Sequence, residues 1–237
     1  MRRRVSRIAL ALAWWLASTM SPACAALIAI DVGHYLEKPG AISARGRPEF
    51  EFNLDLAREI DTEIKSYGHK TRLIGDDGRI KELWRRPRAA RGADVLISVH
   101  HDSVQERYLS SWRYEDADHR YSDMFSGFSI FVSRENAGWR KGLQCASAVG
   151  AALIKAGFRP SLYHADPVYG ENRPFADKAH GVHFYDHLAV LRRADMPALL
   201  FEAGVIVHRE QEITLRDSSE QKKMAASVAL GIAACLG

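Results

Sequence analysis

Residues 95–101 read VLISVHH, an apolar run that stops at two adjacent histidines. A short apolar run rich in β-branched residues predicts a buried strand. Two further runs have the same design: IAID at 28–31 leads into a turn that ends at His34, and ALLF at 198–201 is followed by Glu202. Strands that are apolar along their whole length are typical of a parallel sheet covered on both faces. The three runs therefore predict the centre of such a sheet, with polar side chains at its strand ends.

Helical patterns separate these apolar runs. Between Asn53 and Tyr67 apolar residues recur at helical spacing, and Gly68 stands where helices commonly end. The other predicted helices are 81–91, 142–156 and 220–236, and the other predicted strands are 70–74 and 128–133. Strands that alternate with helices indicate βαβ units. We therefore predict an α/β fold: a single domain with a mainly parallel, twisted sheet flanked by helices on both faces.

Two stretches, 102–126 and 159–187, do not follow this alternation. The first is polar and aromatic, and the second holds four histidines among scattered prolines and glycines. Both lie next to predicted strands. We expect them to form loops around the edge of the sheet, where binding and catalytic residues commonly lie.

The first 25 residues have the composition of a secretory signal peptide. Arginines at positions 2, 3, 4 and 7 precede an apolar run at 8–18, and small residues follow at 23–25. The apolar run is too short to span a bilayer as a stable helix. We predict that residues 1–25 are a signal peptide and that residues 26–237 fold in the periplasm, with no stable membrane span after processing.

The basic balance of the chain comes from this leader. The chain has 33 Lys+Arg and 29 Asp+Glu, and once the four arginines of the leader are set aside, 29 basic residues face 29 acidic ones. A neutral domain without a basic stripe predicts no nucleic-acid partner. Cys145 and Cys235 lie beyond the leader, and the sequence leaves open whether they form a disulfide or remain buried thiols.

Two histidine positions stand at predicted strand ends. Gly33 permits a tight turn that places His34 just past the first strand, and Asp31 is a candidate to orient the His34 ring. At the second position His100 and His101 are adjacent, and adjacent residues on a strand point to opposite sides. Only one of the two can therefore join His34, and the spacing does not decide which.

Two carboxylate positions complete the pattern. Glu49 opens a predicted helix, with Glu51 as a competitor for the same role. Glu202 ends a buried strand, where a carboxylate is costly unless it is functional or forms an ion pair, here with Arg192 or Arg193. Two histidines and one carboxylate suit Zn²⁺ and leave a position open for water, and a second carboxylate can act as general base.

With these residues the chain resembles the zinc-dependent N-acetylmuramoyl-L-alanine amidases, which cleave peptidoglycan. The family motifs that recur here are, in chain order, Asp-x-Gly-His at 31–34, Pro-Gly-Ala at 39–41, Glu-x-x-x-Asn-Leu at 49–54, Leu-x-x-Arg-x-x-x-Ala at 83–90, Ser-x-His at 98–100, Val-Leu-Arg at 190–192, and Pro-Ala before an apolar strand ending in Glu at 197–202. Each motif is weak alone. As an ordered set they extend the resemblance over residues 27–237.

The resemblance implies a site in which His34, Glu49 and His100 hold one Zn²⁺ per chain and Glu202 is the general base. It favours Glu49 over Glu51 and His100 over His101. Asp31, His101 and Arg192 are then candidates to support the ligands or to contact substrate.

The activity implied for residues 26–237, as a zinc amidase catalytic domain, is hydrolysis of the amide between the lactyl group of N-acetylmuramic acid and L-alanine. Peptidoglycan is the implied substrate and an activator protein a further partner. Two alternatives stand beside this interpretation. One is a zinc hydrolase of the same fold that cleaves another amide or peptide bond, and the other is a catalytically inactive cell-wall-binding protein.

Overall fold

The computed structural model describes residues 25–237. Its strands are β1 (Leu27–Val32), β2 (Lys70–Ile74), β3 (Val95–Asp102), β4 (Ser110–Tyr114), β5 (Ala117–Tyr121), β6 (Ser129–Val132), β7 (Phe175–Asp177), β8 (Val182–Phe184) and β9 (Ala198–Val205). Its α-helices are α1 (Glu49–Ser66), α2 (Arg85–Ala89), α3 (Trp139–Lys155), α4 (Ala189–Arg192), α5 (Arg209–Arg216) and α6 (Ser218–Leu236). The signal peptide predicted for residues 1–25 lies, apart from Ala25, outside the described residues.

Seven strands form one sheet in the order β2-β1-β3-β9-β6-β8-β7. The four strands β2, β1, β3 and β9 run parallel to one another, and β6 runs parallel to β8. The β6–β9 and β7–β8 pairs are antiparallel. The predicted α/β fold with a mainly parallel sheet is confirmed, and its central strands are the three apolar runs at 28–31, 95–101 and 198–201.

The two faces of the sheet are covered unequally. Ile28, Ile30 and Val32 of β1 join the core beneath the three long helices α1, α3 and α6. Ala29, from the opposite face of β1, packs in a smaller core with residues of α4 and the end of α2. Burial on both faces explains why these strands lack a polar alternation.

A disulfide links two of the long helices that pack on one face of the sheet. Cys145 of α3 and Cys235 of α6 are bonded, with their Cα atoms 4.9 Å apart. The sequence left this pairing open, because two cysteines 90 residues apart on separate helices give no local signal.

The two stretches expected as loops contain short strands. Within 102–126, β4 and β5 form a hairpin, and the Nε1 of Trp112 donates to the carbonyl of Ala44 at 2.8 Å. Within 159–187, β7 and β8 extend the main sheet at its edge, so the prediction of a loop was wrong for these six residues. Strands of three residues are too short to show a period of two. None of the helices within residues 25–237 is long and apolar enough to cross a membrane.

Candidate metal centre

His34, Glu49 and His100 meet at the carboxyl end of the central strands. His34 follows β1, Glu49 is the first residue of α1, and His100 lies near the end of β3. The Nε2 of His34 is 3.0 Å from Oε2 of Glu49, and the Nδ1 of His100 is 3.1 Å from Oε1 of Glu49. One nitrogen or oxygen from each residue lies within 4.8 Å of the other two. Two imidazoles and a carboxylate at this separation could hold a metal ion.

Two glycines allow this close approach. A Cβ on Gly33 would lie 2.4 Å from the ring of His100, and one on Gly40 would lie 2.3 Å from Oε2 of Glu49. Gly40 also has a φ of +85°, in the region that glycine enters most easily. The turns on both sides of His34 are therefore shaped by the room that the three side chains need.

Glu49 is ionised in its buried position. Burial would raise the pKa of its carboxyl, but hydrogen bonds and charge from His100 and His34 outweigh burial and hold the pKa well below its usual range. Oε2 also accepts from the backbone N–H of Ala41 at 3.1 Å. Glu51, the competitor in the sequence, instead pairs with Arg47 at 3.0 Å on the surface.

His101 points away from the cluster and supports it indirectly. Asn53 donates its amide N–H groups to Oε1 of Glu49 at 3.1 Å and to the carbonyl of Gly33 at 3.2 Å. The amide oxygen of Asn53 must then accept, and the Nδ1 of His101 donates to it at 2.8 Å. Burial lowers the pKa of His101 to about 3, so the ring is neutral. His101 therefore orients Asn53, which in turn orients Glu49.

The sequence suggested that Asp31 orients the His34 ring, but in the structure Asp31 has other partners. Its carboxylate accepts from Nη1 of Arg86 at 2.7 Å and from the hydroxyl of Ser98 at 2.7 Å, and no hydrogen bond joins it to the His34 ring. Arg86, which is 1% exposed, also donates to the carbonyls of Val32 and His34. His34 has a φ of +67°, which is uncommon for a residue with a side chain. The Asp31–Arg86 pair therefore acts on the backbone that carries His34.

Glu202 stands beside the cluster without an ion pair. It faces His100 in the register of β3 and β9. The residue is half-buried, but its Oε2 is buried and has no hydrogen-bond partner. Burial, followed by the charges of Asp102 and Glu49, raises its pKa well above the usual range. Arg192, a candidate to support the ligands or to contact substrate, lies 3.6 Å from Oε2 of Glu135, and its role at the site stays a prediction.

A second charged network borders Glu202, and sequence reasoning missed it. The Nε2 of His164 is 2.7 Å from Oδ2 of Asp102, and its Nδ1 is 2.9 Å from Oε2 of Glu171. Burial alone would lower the pKa of His164, but the two carboxylates raise it to about 10. The ring is therefore an imidazolium between two carboxylates. The abundance of histidines in 159–187 was the only signal in the sequence.

Comparisons with known proteins agree on one family. A family model described as N-acetylmuramoyl-L-alanine amidase matches residues 28–234. The N-acetylmuramoyl-L-alanine amidase AmiC of Neisseria meningitidis serogroup B is 26% identical over 214 residues, which are 87% of this chain and 51% of that protein. The chain thus spans about half the length of the curated relative that it matches.

Solved structures share the fold over most of their length. The N-acetylmuramyl-L-alanine amidase Ami1 of Mycobacterium smegmatis superposes with a TM-score of 0.72 at 18% identity, covering 92% of this chain and 99% of that one. The CwlD amidase of Clostridioides difficile, solved in complex with the GerS lipoprotein, superposes with a TM-score of 0.65 at 16% identity, covering 89% and 98%. At these identities the likeness shows the fold.

Proposed function

Because the chain belongs to the N-acetylmuramoyl-L-alanine amidase family, we propose that it hydrolyses the amide between the lactyl group of N-acetylmuramic acid and the L-alanine of peptidoglycan. The observation that carries this proposal is the convergence of His34, Glu49 and His100 within 4.8 Å of one another, beside the unpartnered carboxylate of Glu202. Three ligands and a free carboxylate are what metal-assisted amide hydrolysis requires.

The ligand set favours zinc. Imidazole nitrogens suit Zn²⁺, whereas Mg²⁺ and Ca²⁺ prefer oxygen ligands. In our proposal His34, Glu49 and His100 hold one Zn²⁺ per chain. When bound, the ion supplies a water of lowered pKa and polarises the scissile carbonyl. The hydrogen bonds of Ala41 and Asn53 to Glu49 keep both carboxylate oxygens oriented for this role.

Glu202 is the general base in this mechanism. Its Oε2 has no hydrogen bond to break, so in the ionised form, which a cation held by the cluster would favour, it can accept the proton from the attacking water. Burial, followed by the charges of Asp102 and Glu49, raises the pKa of Glu202 and so favours the protonated form once it has formed. Glu202 then donates the proton to the nitrogen of the leaving L-alanine, and it returns to its starting state. The protein thus carries the proton on one side chain through both steps.

Digestion of purified peptidoglycan tests the proposal. The expected products are glycan strands with free lactyl groups and stem peptides that begin with L-alanine, identified by mass spectrometry. Exhaustive chelation should abolish the reaction and added zinc should restore it. New termini at another amide would favour a different hydrolase of the same fold. A metal-loaded protein that releases nothing would favour a non-catalytic cell-wall protein.

Export and a protein partner belong to the same proposal. We propose that residues 1–25 direct the chain to the periplasm and are removed there. N-terminal sequencing of the native protein should then begin near Ala26, and recovery of Arg2 or Arg3 would contradict export by cleavage. CwlD was solved in complex with a lipoprotein, and we propose a protein partner for this chain as well. Stimulation of the purified domain by extract from its own host would support it.

A further inference from the structure

A cavity of about 340 Å³ opens directly beside His34 and His100. Its walls include Tyr35, Lys38, Lys81 and Leu83. Ligand sites of this kind commonly have volumes of about 300–1,000 Å³. A substrate whose carbonyl reaches the three-residue cluster extends from it in two directions, and this cavity offers room for one of its two arms.

The cavity carries a net positive charge. Asp31 is its sole lining carboxylate within residues 25–237, and that carboxylate is already paired with Arg86 at 2.7 Å. Lys38 forms no ion pair with any described residue. Lys81 pairs only with Glu37, which does not line the cavity, and both of these side chains are more than half exposed. Exposed ion pairs are weak, so Lys81 can exchange Glu37 for a ligand.

Backbone hydrogen bonds connect the two loops that carry the lysines. Lys38 closes a tight turn with Tyr35, in which the Lys38 N–H donates to the Tyr35 carbonyl at 3.0 Å and the Tyr35 N–H to the Lys38 carbonyl at 3.3 Å. Leu36 within this turn donates to the carbonyl of Gly78 at 3.0 Å, which ties the turn to the loop that carries Lys81. Two lysines from connected loops therefore line one cavity.

The charge decides which arm of the substrate fits. The glycan arm consists of neutral N-acetylated sugars around the scissile bond, whereas the peptide arm carries carboxylates beyond L-alanine. We propose that this cavity is the subsite for the peptide arm, and that Lys38 and Lys81 recognise the carboxylate of the residue that follows L-alanine. The apolar side chain of Leu83 then packs against the aliphatic part of that peptide. This inference rests on the proposed function.

The test uses two soluble muramoyl peptides that differ in a single group. One has a free carboxylate on the second peptide residue, and the other has a carboxamide there. The wild-type protein should hydrolyse the carboxylate substrate with the higher kcat/KM, and added salt should reduce this preference. Lys38→Gln and Lys81→Gln should each raise KM for the carboxylate substrate about two- to fivefold, as expected for exposed ion pairs, without changing kcat.

Lys70→Gln is the matched control. Lys70 is exposed at the start of β2, at the end of the sheet opposite the cluster. Its substitution should change kcat/KM for neither substrate. Equal kcat/KM values of the wild type for the two substrates would overturn the subsite. Equal losses on both substrates in the Lys38 and Lys81 variants would do the same.

A second measurement separates this inference from the proposed function. If the wild type hydrolyses neither substrate, the proposed function fails. Titration calorimetry of the two free peptides against the wild type then still decides the subsite. Tighter binding of the carboxylate peptide, lost in the Lys38→Gln and Lys81→Gln variants, would support the subsite, and equal binding would reject it.

Discussion

The two halves of the sheet contribute to the candidate site in different ways. The parallel half, β2-β1-β3-β9, supplies His34, His100 and Glu202 from strands or strand ends, and the helix that follows β1 supplies Glu49. The mixed half, β6-β8-β7, borders the site through His164, whose imidazolium bridges Asp102 and Glu171. In the parallel half, backbone geometry sets the positions of the site's side chains. Glycines leave room for these side chains, and the backbone of His34 adopts a left-handed conformation. In the mixed half, the ion pairs of His164 set the positions of the side chains. Substitutions should therefore affect metal and catalysis in the first half, and stability and its pH dependence in the second.

The largest effect should come from His100, and its neighbour His101 is the matched comparison on the same strand. His100→Ala should lose zinc and reduce hydrolysis to background, because it removes one of three ligands. His101→Ala should keep zinc and lose at most roughly 10–100-fold in metal affinity or activity, because it removes only a partner of a ligand. Metal analysis and peptidoglycan digestion measure both. Equal zinc loss in the two variants would show that the register at the end of β3 is misassigned.

Glu202→Gln should lower turnover by a factor of about 10²–10⁴, the usual contribution of a general base. The amide keeps the shape of the side chain but cannot take a proton, so zinc content and the thermal midpoint should stay unchanged. Loss of zinc in this variant would make Glu202 a ligand. Turnover at the wild-type rate would refute its role as base.

Removal of the disulfide should weaken the connection between the two halves. It joins α3, which follows β6, to α6, which packs against α1. Cys145→Ser with Cys235→Ser should lower the free energy of unfolding by roughly 2–5 kcal/mol, the usual cost of removing a native disulfide, here between cysteines 90 residues apart. Activity at 25 °C should be retained, because neither cysteine touches the cluster. An unchanged urea midpoint would show that helix packing alone holds the halves together.

The smallest effect should be that of His164→Gln. The pKa of His164 is raised to about 10 from the usual 6.5, so its contribution to stability is complete below pH 6.5 and is lost progressively as the pH rises towards 10. The wild type should therefore lose stability between pH 7 and pH 9, and the variant should show a flatter profile. At pH 7 we expect a cost of about 1–3 kcal/mol from the charged hydrogen bonds. Parallel pH profiles, measured by urea unfolding, would contradict this role.

The parallel half could be predicted from the sequence because its signals are local. Apolar runs fix the strands, the limits of β2 at Lys70 and Ile74 match the prediction, and strand ends bring His34 and His100 to one edge. The choice of His100 over His101 came from the family resemblance. The alternation of side chains along a strand shows that only one of the two can join His34, but it does not show which one. Zinc binding and the role of Glu202 stay predictions.

What the sequence could not show depends on distant partners. The partner of Asp31 is Arg86, 55 residues later, and that of Asp102 is His164, 62 residues later. No spacing rule links residues at such separations. Arg192 is a further case, since its 3.6 Å contact is with Glu135, 57 residues earlier. The ion-pair partners of such residues depend on how distant segments pack together, and local sequence patterns do not show this packing.

The Cys145–Cys235 bond also has a meaning for the lifetime of the chain in a cell. Disulfides form where thiols are oxidised and are rare in reducing compartments. A copy that stays in a reducing compartment would keep α3 and α6 unlinked, open more often and be cut sooner by proteases. The redox state of the two cysteines therefore depends on the compartment that each copy of the protein has reached. We expect copies that reach an oxidising environment to outlast those that do not.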